Sequence, residues 1–263
     1  LSSKTVSLEA LCAGTGGQTF SIKEVLVYGD IPQKLKLAIV GTRKASPKYE
    51  DFTFQLSTTL ARSGICVVSG LAYGIDIAAH RGALAAQVPS ATIAVLATPI
   101  TDIYPADHTE DVYKILQSCG SVITLKKEIN KTFKSDFIKR NYIMALIADA
   151  VLVTQAPKLS GALTTAKFAL EMGKDVLAVP GPPWDATCDG TNDLIKQGAL
   201  VVTKPNDVLD YFNLPLLEVE QRAFKLNNDE LTLLTLLKTK ERCFIEDLSL
   251  IHISEPTRLL SIS

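Results

Sequence analysis

The sequence predicts an α/β chain: an extended, Rossmann-like, doubly wound and mostly parallel sheet, with a truncated helical appendage behind it. Three observations carry this expectation. Short apolar runs alternate with amphipathic helical patterns from about residue 35 to residue 212. The runs are apolar throughout, without the polar alternation of a half-solvated sheet, so helices must cover both of their faces. Glycine or a small polar residue closes most of them, at the strand ends where such sheets meet their ligands.

Taken in order, residues 1–34 carry a weak pattern, with a Gly-rich patch at Ala13–Gly17 and one short strand at Val25–Tyr28. They are expected to pack on the core as an N-terminal segment. The domain over 35–212 opens with strand Leu35–Val40 and helix Glu50–Ser63. Strand Ile65–Ser69 leads to helix Gly74–Ala86, and strand Thr92–Leu96 to helix Thr109–Ser118. Strand Ser121–Leu125 leads to helix Asp136–Ile147, and strand Ala150–Thr154 to helix Gly161–Met172. Strand Val176–Val179, helix Thr191–Gln197 and strand Leu200–Val202 complete the alternation. Residues 213–226 read as a linker. Residues 227–250 are expected to form a partial, winged-helix-like appendage: a helix at Asn227–Lys238, which Asn227 or Asn228 could cap, and the start of another at Phe244–Leu248. The tail, 251–263, fits neither helical nor strand period and is expected to be disordered and non-native. Because the first residue is Leu1 and not Met, a truncated start is expected as well.

Composition narrows the function classes. The hydrophobic fraction of 47% and charged fraction of 21% are ordinary for a soluble globular chain. A net charge of −1 gives no global nucleic-acid signature, so any such site must be a local patch. The five cysteines (Cys12, Cys66, Cys119, Cys188, Cys243) never form CxxC pairs, which fits reduced thiols packed as small hydrophobes. Three scattered histidines suggest no metal, and no apolar run approaches the ~18 residues of a membrane span. A cytoplasmic protein without metal or cofactor is expected.

Five segments carry candidate chemistry. Gly41-Thr42-Arg43, with Ser46, turns a buried strand into a helix and leaves outward-pointing N–H groups beside a guanidinium, which suits a phosphate. Ser69–Leu84 repeats the arrangement: Gly70 and Gly74 permit close approach, and Ser69 could donate to an anion. Asp76 and His80 lie one helical turn apart, as an acid–base or metal pair or, preferably, as a structural Asp–His or Asp–Arg81 contact. Lys126–Arg140 sets five lysines and one arginine against Glu128 and Asp136, with Phe133 and Phe137 interleaved. Aromatics among cations are what a single nucleic-acid strand uses, although Phe137 could equally be core. Ser160-Gly161, with Thr164 and Thr165, offers a further helix N-terminus, and Pro180-Gly181 with Gly190-Thr191-Asn192 brackets a loop that could be turn chemistry alone. Together these would ring one edge of the sheet, favouring an extended polyanion. GxGxxG, the P-loop, GxSxG and any nucleophile–base arrangement are absent, so no enzyme is expected.

These segments, in this order, resemble the DprA family, also called Smf, the DNA-processing proteins of natural transformation. The resemblance rests on VGTR (Val40–Arg43), SGLAxGID…AAH (Ser69–His80), DIYP (Asp102–Pro105), Arg140-Asn141, SGxLxTA (Ser160–Ala166), VPG (Val179–Gly181) and GTNxLIxxGA (Gly190–Ala199). It covers about residues 25–212. It implies an extended Rossmann domain that binds single-stranded DNA, dimerises, protects incoming DNA and loads the recombinase RecA on it, displacing single-strand-binding protein, with no catalysis. Carried onto this chain, it makes Arg43 the principal phosphate contact, with Gly41, Thr42 and Ser46 shaping the pocket. Lys139, Arg140 and Asn141 match the basic segment, and Ser160, Gly161 and Thr164 the second hydroxyl-bearing turn. Tyr73 and Tyr142 stand where relatives often carry basic residues; both weaken the positive field but could stack on bases, as could Phe137. The rival reading is a Rossmann-like nucleotide phosphoribohydrolase of the lysine-decarboxylase-like family, whose PGGxGTxxE segment this chain lacks. A nucleotide-sensing module is a third.

Overall fold

The computed structural model describes residues 3–7, 22–125 and 132–215. Chain contacts group Leu1–Leu216 into one compact unit and Leu217–Ser263 into another. The Gly-rich patch, the first six residues of the basic run, most of the linker, the appendage and the tail lie outside the described residues.

Within them the alternation of short apolar runs and amphipathic helical patterns becomes nine strands and seven α-helices. The strands are β1 (Ser3–Ser7), β2 (Glu24–Tyr28), β3 (Lys36–Val40), β4 (Cys66–Ser69), β5 (Thr92–Leu96), β6 (Ser121–Thr124), β7 (Ala150–Val153), β8 (Val176–Ala178) and β9 (Leu200–Val201). The helices are α1 (Pro47–Arg62), α2 (Ile75–Ala85), α3 (Thr109–Gln117), α4 (Lys134–Ile147), α5 (Gly161–Glu171), α6 (Asp189–Lys196) and α7 (Pro205–Tyr211). One sheet runs β1-β2-β6-β5-β4-β3-β7-β8-β9. The β3–β9 pairings are parallel, while β1–β2 and β2–β6 are antiparallel. From β3 the chain winds outward through β4, β5 and β6. Helix α4 then carries it back across the sheet to β7, which pairs with the other side of β3 (Leu37↔Ala150 to Val40↔Val153). The strand order therefore reverses between β3 and β7, and a crevice must open beyond their C-terminal ends.

Strand alternation sorts the core. Leu37 and Ile39 face α1, α2 and α7, whereas Ala38 and Val40 face α4 and α5. Ile39 and Leu37 are fully buried, each contributing about 1.5–3 kcal/mol. Cys66 packs as a small hydrophobe, its thiol pushed up to about 12 by burial. Three elements differ from the sequence reading. Helix α1 starts at Pro47, three residues before the expected Glu50, because proline fits the first helical turn, where its missing N–H costs nothing. Helix α7 has no counterpart in the sequence reading; Pro205 starts it, and Asp207 Oδ2 accepts from the Thr203 and Lys204 amides at 2.7 and 3.1 Å. Strand β1 is mostly solvated, so no apolar run marks it. It is itself an edge strand, and among the described residues it pairs with β2 alone.

Candidate nucleic-acid interface

The crevice at the β3–β7 reversal is an open groove of about 770 Å³. Its floor is the β3 turn, Gly41 to Lys44. One wall is α4 from Phe133 to Met144, and the other is the Pro157–Ser160 loop with the first turn of α5. The β3 turn is fixed from beneath. Thr42 N–H donates to the Gln155 carbonyl at 2.7 Å, and Thr42 Oγ1 accepts from the Lys44 amide at 3.2 Å. A Cβ on Gly41 would fall 2.4 Å from the Ile75 side chain, so glycine is required for the turn to seat on α2. Arg43 remains exposed, its guanidinium 5.2 Å from the centroid of Phe137. Among the described residues no carboxylate lies within ion-pair distance of it. The cation is held in place and free to receive an anion.

Ser160 caps α5, its Oγ accepting from the Ala162 amide at 3.2 Å. Gly161 opens to empty space, leaving the positive end of the helix uncovered. Asn141 reaches across from α4, its Nδ2 donating to the Gly161 carbonyl at 3.1 Å, which ties the two walls together. Thr164 lies on the same wall. The groove thus gathers Gly41, Thr42, Arg43, Phe137, Asn141, Ser160, Gly161 and Thr164 from the sequence-derived set. It adds Lys44 and Lys134, giving cations Arg43, Lys44, Lys134 and Arg140 against the single carboxylate Asp76.

Several expected contacts are corrected by burial. Arg140 is 5% exposed and pairs with Asp76 (Nη1–Oδ2, 3.4 Å), so it underlies the groove and is no freely presented phosphate ligand. Gly70 makes room for it: a Cβ there would overlap Arg140 Nη1, so this glycine serves the arginine and not an anion. Burial pushes the Asp76 carboxyl up, against the pull of Arg140, and pushes the Arg140 guanidinium down, leaving it cationic. Ser69 is wholly buried, its hydroxyl donating to the Ile39 carbonyl at 2.6 Å. Tyr142 is 2% exposed and packs edge-on against Phe168 at 5.5 Å; it is core, not a stacking platform. Lys139 points away, since at 3.6 residues per turn Lys134, Phe137, Ile138 and Asn141 share the groove face and 139 falls opposite. The Ser46 amide is committed to Gln155 Oε1 at 3.0 Å, and the residue does not line the groove. Tyr73 stands beside the groove, 42% exposed, its hydroxyl donating to Asp107 at 2.9 Å.

Neither expected contact of Asp76, with His80 or with Arg81, is made; Asp76 pairs with Arg140, and the other two have partners of their own. His80 Nδ1 lies 2.7 Å from Thr92 Oγ1, and burial pulls its imidazole down to about 4, so it is neutral at pH 7. Arg81 makes a two-pronged bond to Asp111 at 3.1 and 2.9 Å. Gln155 is a strand-end residue whose role as a clamp the sequence does not show. Fully buried, it also donates to Thr187 Oγ1 at 2.7 Å, so it joins the β3 turn to the loop after β8. Its only sequence signal was a polar residue closing an apolar strand. Among the described residues no three His, Cys, Asp or Glu side chains gather as a metal site, and no helix is long and apolar enough to cross a membrane.

Residues 24–213 match the family model described as DNA recombination-mediator protein A. Among curated relatives, Protein Smf of Escherichia coli (strain K12) is 38% identical over 66% of this chain and 46% of its own length. Protein Smf of Synechocystis is 37% identical over 76% and 49%. DNA processing protein DprA of Streptococcus pneumoniae is 36% identical over 67% and 61%. The chain spans about half the length of the first of these relatives. Among solved structures, DNA processing protein A from Streptococcus pneumoniae superposes with a TM-score of 0.67 at 30% identity, over 75% of this chain and 68% of that one. The protein of the same name from Helicobacter pylori, described for its single-stranded DNA binding mode, gives 0.69 at 25% identity over 80% and 95%.

Proposed function

The chain belongs to the DNA recombination-mediator protein A family, and on that premise we propose that its switch-point groove binds single-stranded DNA. The observation that carries this reading is Arg43, exposed on the groove floor, braced on Phe137 and opposite the open N-terminus of α5. A permanent cation and a helix dipole facing one crevice suit successive backbone phosphates. The role proposed for the whole protein is protection of incoming DNA and loading of RecA on it as single-strand-binding protein is displaced. It acts in the cytoplasm as a homodimer and catalyses no reaction.

Fluorescence anisotropy with labelled oligo-dT and the matching duplex tests the reading. The single strand is expected to bind with a low-nanomolar to micromolar Kd that weakens with salt, and the duplex more weakly. Equal affinity for both, or binding of mononucleotides alone, would count against it. Release of ribose 5-phosphate from a nucleoside monophosphate would favour the phosphoribohydrolase instead. For the loading role, RecA assembly on a strand coated with single-strand-binding protein should be faster with the full chain present; an unchanged rate would refute that part.

A further inference from the structure

Arg43 stands between two amides, those of Thr42 and Ser46, and Gln155 holds both. The Thr42 N–H donates to the Gln155 carbonyl at 2.7 Å, and the Ser46 N–H to its Oε1 at 3.0 Å. Gln155 is fully buried, and its Nε2 donates to Thr187 Oγ1 at 2.7 Å. The Thr187 amide donates to Asp185 Oδ1 at 2.9 Å, its hydroxyl donates to the same oxygen, and together they hold that carboxyl below the usual carboxylate range. Hydrogen bonds therefore run unbroken from the turn that carries Arg43 to the loop after β8. A second tie runs beside them. Tyr49, in the first turn of α1, donates to the Pro180 carbonyl at 3.1 Å, and the Cys188 thiol lies 3.3 Å from its Oη. A Cβ on Gly181 would fall 2.4 Å from Cys188 Sγ and 2.8 Å from Tyr49 Oη, so the loop packs on α1 without a gap. Asn192 closes the loop from α6, exchanging two hydrogen bonds with the Gly181 backbone at 3.0 and 3.1 Å.

Both ends of the Gln155 amide are committed. The two segments it joins cannot separate without leaving a buried polar group unpaired. Neither Thr187 nor Asp185 lines the groove. Resting on the DNA-binding reading above, we infer that the loop from Pro180 to Cys188 is coupled to the phosphate-binding turn: Thr187, acting through Gln155, sets the position of Arg43, and a strand bound at Arg43 alters the loop. Thr187 is a positioning residue that touches no DNA. The coupling is reciprocal, so whatever restrains the loop also changes the hold on the strand. The loop carries its own reporter. Trp184, the single tryptophan of the chain, is 85% exposed there and lies outside the groove lining.

The experiment titrates a short oligo-dT against the full chain and its Thr187→Val, Thr187→Ser and Asp185→Ala variants. It reads the anisotropy of labelled strand and, with unlabelled strand at saturation, Trp184 emission. Thr187→Val keeps the shape and removes the hydroxyl that Gln155 needs. It should lose roughly 2- to 10-fold in affinity, the contribution of one neutral hydrogen bond. Thr187→Ser should bind like the parent. Asp185→Ala, which frees the hydroxyl without removing it, should fall between them and repeats the comparison at a second residue. The slope of log affinity against log salt should stay at the parent value in all three, since Arg43 still meets its phosphate. Trp184 emission should change on saturation in the parent and in Thr187→Ser, and not in Thr187→Val. A merely structural defect would lower the melting temperature without abolishing that response. Parent affinity in Thr187→Val, or binding by the parent with no emission change, would overturn the coupling and leave the DNA site standing. An emission change of equal size in parent and Thr187→Val would overturn it too, because the strand would then be touching Trp184 itself. Failure of the parent to bind would remove the DNA site and this inference with it.

Discussion

Replacing Arg140 by methionine is expected to destabilise the domain by about 3–5 kcal/mol at neutral pH, the usual cost of stranding one partner of a buried ion pair. Methionine fills much of the same volume, so lost packing contributes little. What remains is Asp76, 4% exposed, with its nearest counter-charge gone. The pH dependence separates this cause from a packing defect. Burial already holds the folded-state pKa of Asp76 above its ordinary value of 3.8, and losing Arg140 pushes it higher. The penalty belongs to the ionised carboxylate. It is therefore absent below 3.8, grows as pH rises through the folded pKa, and is largest at neutrality. Denaturant unfolding of parent and variant at pH 7 and pH 4.5 should show the gap narrowing at the lower pH. A double variant, Asp76→Asn with Arg140→Met, should recover part of the loss. A gap independent of pH, or a neutral single variant, would contradict this account of the pair. Gly70→Ala should produce a related defect, because its Cβ overlaps the slot that Arg140 occupies.

Replacing Arg43 by alanine should leave stability nearly unchanged and weaken oligo-dT binding by on the order of 1–3 kcal/mol, the range for hydrogen bonds to charged groups. The residue is exposed and among the described residues has no carboxylate partner, so its removal strands nothing. A lost phosphate contact also has its own signature: the salt slope should fall by about 0.7 for a single strand. Arg43→Lys should recover the slope but only part of the affinity, since a compact ammonium neither forks around a phosphate nor stacks on Phe137 in the same way. Anisotropy titrations across a salt series measure both quantities. Full affinity in Arg43→Ala would move the principal contact elsewhere. A fall in affinity with an unchanged slope would mean that Arg43 acts by shaping Phe137 and not by meeting phosphate.

These two arginines show how far residue type reaches. Arg43 and Arg140 both follow apolar or basic patterns that attract a phosphate reading, and both border the same groove. One is a presented cation and the other a buried strut. Nothing within a few residues of Arg140 signals this, because its partner Asp76 is 64 positions away and Gly70, which makes its room, is on another strand end. Ser69 and Tyr142 mislead in the same way. A hydroxyl at a strand end and a phenol after a basic segment look available until the neighbouring strand or helix is packed against them. Lys139 fails for a simpler reason, one residue of helical rotation.

The alternation of apolar strands with amphipathic helices, the glycine turns and the ordered motifs determined the parallel sheet, the family and the place of Arg43, since each depends on interactions between near neighbours in the chain. The place of the strand-order reversal, between β3 and β7, the pairing that buries Arg140 and the clamp made by Gln155 were decided only by the tertiary structure. They depend on which distant segments α4 brings together, and contacts across that sequence separation leave no periodic trace in the residues that make them.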